Sequence, residues 1–264
     1  MKQPAYSVER ILITNDDGYG APGLEILKQA AQSLAREVWV VAPASDQSGV
    51  SHSISLHNPL RVKQKSLHDY AVTGTPADCV VMGVKHLMKG HRPDLILSGI
   101  NSGANLGVET LFSGTVGGAM TGMLLDIPSI ALSQCYGEPS SLPWDVARQH
   151  IVPTIQRLLS YHASHHVCFN VNFPDCDAGG VKGLRWTTQG KGLLNGAAVQ
   201  AEIDPRNNDY YWVRLLHADN KTEADSDINS ETYNLARHYI TVSPLQFERT
   251  DHAVLRELET LSRA

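Results

Sequence analysis

Apolar positions in the first half of the chain switch repeatedly between two periods. "RILIT" (10–14) is a short β-forming run. It is followed by "APGLEILKQAAQSLA" (21–35), which sets Leu24, Leu27, Ala31 and Leu34 at helical spacing behind Pro22. "EVWVVAP" (37–43) predicts a second buried strand. "GTPADCVVMGVKHLM" (74–88) predicts a helix with Thr75 as its N-cap, Pro76 in its first turn and Asp78 near the positive end of its dipole. A strand in "DLILSG" (94–99), a helix in "SGTVGGAMTGMLL" (113–125) and a strand in "IPSIALS" (127–133) continue the series. Strand and helix in alternation imply parallel β-α-β units, and hence an α/β fold with a doubly wound, mostly parallel sheet.

Beyond about residue 140 the pattern loosens. A helix is expected in "WDVARQHIVPTIQRLLSYH" (144–162) and a buried strand in "VCFNVNFP" (167–174). Residues 185–215 are β-rich at both ends around the turn-prone "DPRNND", which predicts a long hairpin or arm. "KTEADSDINSE" (221–231) reads as polar loop, and "HYITVSPL" (238–245) as a late strand. A length of 264 residues suits one large domain: a core over 1–135, then 136–264 supplying the remaining sheet elements, the hairpin arm and a tail.

Charge narrows the partners. A formal net charge of -5 and a pI near 6.2 leave no basic excess for a nucleic acid polymer. No segment reaches the ~18 consecutive apolar residues of a membrane span, and "MKQPAYSVER" lacks the apolar stretch of a secretory signal, so a cytoplasmic protein is expected. Cys79, Cys135, Cys168 and Cys176 form no CxxC pair and read as reduced core or near-core thiols.

In an open parallel sheet, ligands bind beyond the carboxyl ends of the strands. Four distinctive stretches fall at such ends: "NDDG" (15–18), "PASDQSG" (43–49), "SGINSGANLG" (98–107) and "FSGTVGG" (112–118). Asp16 and Asp17 stand side by side, and adjacent acids repel unless a positive charge or water lies between them. An Asp-Asp-Gly after a strand is most often a turn or an N-cap. Oxygen donors at the matching strand ends favour a hard divalent cation such as Mg²⁺ or Mn²⁺. A serine hydroxyl of the second stretch would be a further ligand, but spacing alone does not choose Ser48 over Ser45 or Ser51. Asn101 and Asn105 carry amide oxygens and donors in a loop whose glycines allow close approach to a ligand. Ser113 and Thr115 open a helix whose free N–H groups favour an anion, although Ser113 capping needs no ligand. "HASHH" (162–166) has no carboxylate or cysteine partner and reads as surface; His52 and His57 lie near the serine-rich loop without being singled out. No GxSxG, HExxH or GxxxxGK[ST] is present, which leaves an esterase triad, a zincin and a P-loop NTPase unsupported.

Taken together, "ILITNDDGYGAPGLEIL", "VVAPASDQSGVSHSIS", "VTGTPADCV", "PDLILSGINSGANLG" and "SGTVGGAMTGMLLDIPSIALS" resemble, in order and spacing, the SurE family of metal-dependent nucleotidases, from about Val8 to Leu245. The resemblance implies a Rossmann-like core with a C-terminal hairpin and tail used in oligomerisation, as a homodimer or homotetramer. It implies one divalent metal ion per subunit, held by Asp16, Asp17, Ser48 and Asn101, and a phosphate site at Ser113, Gly114 and Thr115, with Asn105 on the substrate side. The implied reaction is hydrolysis of a nucleoside 5′-monophosphate to nucleoside and phosphate, with 3′-monophosphates and short polyphosphate as further substrates, and with one of the aspartates orienting or deprotonating the water. Phe112 departs from the family, where a Tyr commonly precedes that helix, and residues 217–232 match no family pattern.

Three alternatives use similar residues. A haloacid dehalogenase-type phosphatase wants a D-x-D after strand one, whereas the acids here are adjacent. A zinc-dependent sugar N-deacetylase wants a His just ahead of its Asp pair, where this chain has Asn15. A non-catalytic nucleotide-binding module would hold a metal without turnover.

Overall fold

A computed structural model describes residues 7–137, 144–162, 167–218 and 227–262. β1 (Val8–Thr14) lies in the middle of a nine-stranded sheet. Its Ile11, Leu12 and Ile13 are all inaccessible, because both faces of the sheet are covered and the strand reads as an unbroken apolar run. Successive side chains still point to opposite faces. Ile11 and Ile13 join the cluster built with α1 (Pro22–Leu34) and α4 (Trp144–His162), while Leu12 joins the one built with α2 (Pro76–Met82). α1 buries Leu24, Ile26, Leu27, Ala30, Ala31 and Leu34. α2 carries the expected Thr75 cap as a full capping box: Thr75 Oγ1 accepts from the Asp78 amide, and Asp78 accepts from the Thr75 amide.

The remaining strands are β2 (Ala35–Pro43), β3 (Val62–Gln64), β4 (Asp69–Val72), β5 (Leu95–Ser102), β6 (Ser129–Gln134), β7 (Cys168–Phe173), β8 (Leu184–Trp186) and β11 (Ile240–Leu245). They lie in the order β3-β4-β2-β1-β5-β6-β7-β11-β8. Pairing is parallel from β4 through β7. β3 against β4 and β11 against β7 are antiparallel, and β8 follows β11 in parallel. Strand order reverses beside β1, between β2 on one side and β5 on the other, which is the doubly wound arrangement the pattern predicts. That reversal opens a crevice at the ends of β1 and β5.

The structure adds to the expected elements. β3 and β4 fill the segment between β2 and α2, and β2 begins at Ala35, directly after α1. The polar loop expected over 221–231 is corrected at its end: Ser230 caps a short helix, α5 (Glu231–Leu235), and Glu231 is fully buried. Residues 219–226, and 163–166 of "HASHH", lie outside the described residues. The predicted hairpin is present as β9 (Leu194–Ile203) and β10 (Asp209–His217), joined through "DPRNND" and forming a separate two-stranded sheet. Its apolar side chains, among them Val199, Tyr211, Trp212 and Val213, are exposed. The tail helix α6 (His252–Leu261) likewise exposes Val254, Leu255, Leu258 and Leu261, and none of its residues is buried. No helix among the described residues is long and apolar enough to cross a membrane.

Candidate functional site

The crevice beside β1 gathers the four stretches at the strand ends. Asp16 and Asp17 follow β1 directly, and the Asn15 amide group closes their turn by donating to Gly18 O at 3.0 Å. Gly18, at φ +95°, sits so close to the next loop that an added Cβ would lie 3.0 Å from the Ser45 carbonyl carbon. The loop after β2 is pinned there: the Gln47 amide donates to Asp16 O at 2.8 Å, and the Ser51 amide donates to Phe112 O at 3.0 Å. Ser48 is thereby brought next to the Asp pair, its amide and hydroxyl both donating to Asp46 Oδ1 at 2.7 Å.

From β5, the Ser102 amide donates to Asp17 Oδ2 at 3.1 Å. This places Asn101 beside the pair, with its Nδ2 donating to Gly103 O at 2.8 Å and its Oδ1 remaining as an oxygen donor. From the opposite wall, α3 (Gly114–Leu124) points its N-terminus at Asp16. Thr115 Oγ1 donates to Asp16 Oδ1, and an added Cβ on Gly114 would lie 2.8 Å from Asp16 Cβ. Ser113 caps α3 by accepting from the Val116 amide at 3.1 Å.

Electrostatics follow from burial. Desolvation pushes the Asp16 carboxyl up to about 6, against the lowering hydrogen bond from Thr115, and the Asp17 charge adds to the rise. Asp17 is raised by its own burial, opposed by the Ser102 amide, and pushed further by Asp46. Among the described residues neither aspartate has a Lys or Arg partner. The buried Asn15 Oδ1 and Ser98 Oγ have no hydrogen-bond partner. A cation bound here would relieve this unmatched negative charge. No group of three or more His, Cys, Asp or Glu suited to a metal occurs among the described residues. A set of two carboxylates, a hydroxyl and an amide oxygen therefore fits a hard cation and not a zinc-type one.

Asn105 stands apart from the pair, in a buried polar network. Its backbone N–H donates to Asn172 Oδ1 at 2.8 Å, its Nδ2 donates to Ser133 Oγ at 2.8 Å, and its carbonyl accepts from Asn170 and Asn172 at 2.8 and 3.1 Å. Glu231 underpins this network, accepting from Asn170 Nδ2 at 3.1 Å and from the Gly107 amide at 3.2 Å. Burial pushes its carboxyl up to about 7, against lowering bonds from Ser243, Asn170 and Gly107. Sequence reasoning missed Glu231. The available signal was "CFNVNF": Asn170 and Asn172, two apart on a buried strand, place two amides on one face that need partners. His52 packs on α3, 2.8 Å from Thr121 Oγ1, and stacks on Phe247. Cys79 and Cys168 are buried, and none of the four cysteines is in a disulfide.

Comparison with known proteins shows the family. Residues 11–195 match the family model "Survival protein SurE". The chain is 51% identical over 252 residues to "5′-nucleotidase SurE 1" of Burkholderia lata, covering 96% of each chain. It is 44% identical over 248 residues to "5′-nucleotidase SurE" of Methylobacterium radiotolerans, covering 93% of this chain and 96% of that one. The crystal structure of the SurE protein from Aquifex aeolicus superposes with a TM-score of 0.79 at 34% identity, covering 96% of this chain and 99% of that one. The chain belongs to the survival protein SurE family.

Proposed function

We propose that this chain is an enzyme, a 5′-nucleotidase that hydrolyses nucleoside 5′-monophosphates to nucleoside and phosphate. The observation that carries the reading is the Asp16–Asp17 pair, Asp16 buried and Asp17 half-buried, without a cationic partner among the described residues and facing the N-terminus of α3 across the strand-order switch. Relatives at up to 51% identity bear that name.

One divalent cation, Mg²⁺ or Mn²⁺, would be held by Asp16, Asp17, Ser48 and Asn101. When bound, it supplies Lewis-acid polarisation of a phosphate oxygen and a template for in-line attack. The chain's own groups do the rest. First-turn amides at Gly114 and Thr115 face the remaining phosphate charge, since the opening N–H groups of a helix lack internal partners. Thr115 orients Asp16 through its hydroxyl. Asn105, fixed by Asn172 and Ser133, completes the substrate-facing set. The attacking water gives a proton to a carboxylate of the Asp pair as its oxygen bonds phosphorus, and the nucleoside oxygen, as its bond to phosphorus breaks, takes up that proton or one from solvent water to leave as a hydroxyl. 3′-Monophosphates and short polyphosphate present the same terminal phosphoryl group and are further substrates.

The hairpin β9–β10 and α6 form the oligomerisation surfaces of a homodimer or homotetramer, because both expose apolar side chains that nothing among the described residues covers. Residues 1–135 and 136–264 act as one continuous domain, since β6 and β7 pair across the boundary. The enzyme works in the cytoplasm without nucleic acid or membrane partners.

Phosphate release from a panel of 5′- and 3′-nucleoside monophosphates, after chelation and after return of Mg²⁺ or Mn²⁺, tests the reading. Release should require the metal and disappear in Asp17→Asn. A variant with near wild-type turnover would sink the assignment, and binding without release would favour the non-catalytic module.

A further inference from the structure

β3 is the edge of the sheet, and the segment around it places Arg61, Lys63 and Lys65 at alternate positions of an extended backbone. The ladder to the neighbouring strand runs beyond β3 at both ends: the Arg61 amide donates to Thr73 Oγ1 at 2.9 Å, and the Lys65 amide donates to Asp69 O at 2.8 Å. Alternate residues of such a segment share a face. All three cations line one cavity of about 240 Å³, together with Tyr19, Ala44, Val62, Ala71 and Thr73.

Among the described residues no carboxylate lines this cavity and none of the three cations is in an ion pair. Asp69, on the adjoining strand, is already taken by Lys28 at 2.5 Å. Lys65 lies over the Tyr19 ring, 5.3 Å from its centre. Tyr19 follows Asp17 by two residues, so the cavity wall begins within about 7–8 Å of backbone from the Asp pair. Ala44 leads directly into the loop that carries Ser48.

Charged residues on an edge strand also deter association with other strands. That role asks only for charge on the edge. It does not call for three cations on a shared cavity wall that adjoins the Asp turn through Tyr19 and the Ser48 loop through Ala44.

We propose that this cavity is a second anion subsite, binding an additional phosphate of a substrate whose scissile phosphate sits at Asp16 and Asp17. The ligand class is a phosphomonoester bearing another phosphate, and the inference rests on the phosphomonoesterase reading above. The subsite favours such substrates over simple monophosphates by lowering KM, while the chemical step is left to the Asp site.

The test compares a nucleoside 5′-monophosphate with the corresponding nucleoside 3′,5′-bisphosphate, in wild type and in the double variant Lys63→Glu/Lys65→Glu, at low and high salt. The wild type should show a KM about fivefold lower for the bisphosphate, an advantage that shrinks with salt. The double variant should lose that advantage while keeping wild-type kinetics on the monophosphate. Free inorganic phosphate, added as a competitor, separates the sources: if it binds this cavity alone, it should erase the bisphosphate advantage without slowing monophosphate turnover at low concentration. The same KM ratio in wild type and variant would overturn the subsite and leave the nucleotidase reading intact. Failure to hydrolyse either compound would overturn both.

Discussion

Thr115 donates its hydroxyl hydrogen to Asp16 across 99 residues of sequence, so the first turn of α3 sets the orientation of the buried member of the acid pair. Thr115→Val keeps the shape and deletes the donor. The Asp16 carboxyl then rises further, because the lowering hydrogen bond is gone while burial remains. We expect kcat to fall at least about tenfold, as hydrogen bonds to charged groups are among the stronger ones. Steady-state kinetics of the folded variant check this.

Asp16 should also make the metal-free protein less stable as pH rises. Its folded value, about 6, lies above the usual 3.8. The folded state therefore holds the proton more tightly, and that advantage is lost as pH rises from about 4 through 6. Asp16→Asn removes the penalty and should stabilise the chelated protein at pH 8, by on the order of 2–3 kcal/mol, with little effect at pH 4. Thermal melts at the two pH values read the difference, and excess Mn²⁺ should stabilise the wild type but not the variant.

Gly114→Ala tests how closely α3 approaches the acids. The new methyl would sit 2.8 Å from Asp16 Cβ, a distance at which something has to move. Activity should drop more than about tenfold, since small misplacements of catalytic groups are costly, while circular dichroism stays that of the wild type. Normal turnover would mean that the helix does not set the site.

Glu231 offers a contrast between charge and shape. Its folded value of about 7 lies above 4.5, so its contribution to stability is lost as pH rises through 7. Glu231→Gln should be neutral or stabilising at pH 8. Glu231→Ala strands the Gly107 amide and Asn170 Nδ2, and should cost about 2–4 kcal/mol in urea unfolding while lowering kcat through the displaced Asn105 loop.

Much of the fold around the candidate site was legible because its signals are local. β1, β5 and α3 are near-continuous apolar or small-residue runs and α1 has a helical period, and "NDDG", "SGIN" and "SGT" stand at the strand and helix ends. The parts that were not legible depend on partners distant in sequence. β3 and β4 are short, and β3 is exposed along its length, so no run of buried residues marks it. Glu231 follows a polar stretch and becomes a core residue only because Asn170 and Gly107, 61 and 124 residues away, turn their donors toward it. Asp46 carries no distinguishing signal in its loop, and only the fold sets its charge against Asp17.

The glycines of α3 have a consequence for how this scaffold can vary. A methyl on Gly114 would strike Asp16, one on Gly117 would lie 2.5 Å from Ser51 O, and one on Gly118 would lie 2.9 Å from Ser98 Oγ. A single helix thus acts as a spacer gauge between the strand that bears the acids, the loop that bears Ser48 and the strand that leads to Asn101. Thickening it anywhere along that surface would spread the whole donor set at once. New specificities on this framework are therefore expected to arise in its outer loops and arm, where chain can be exchanged without resetting the gauge.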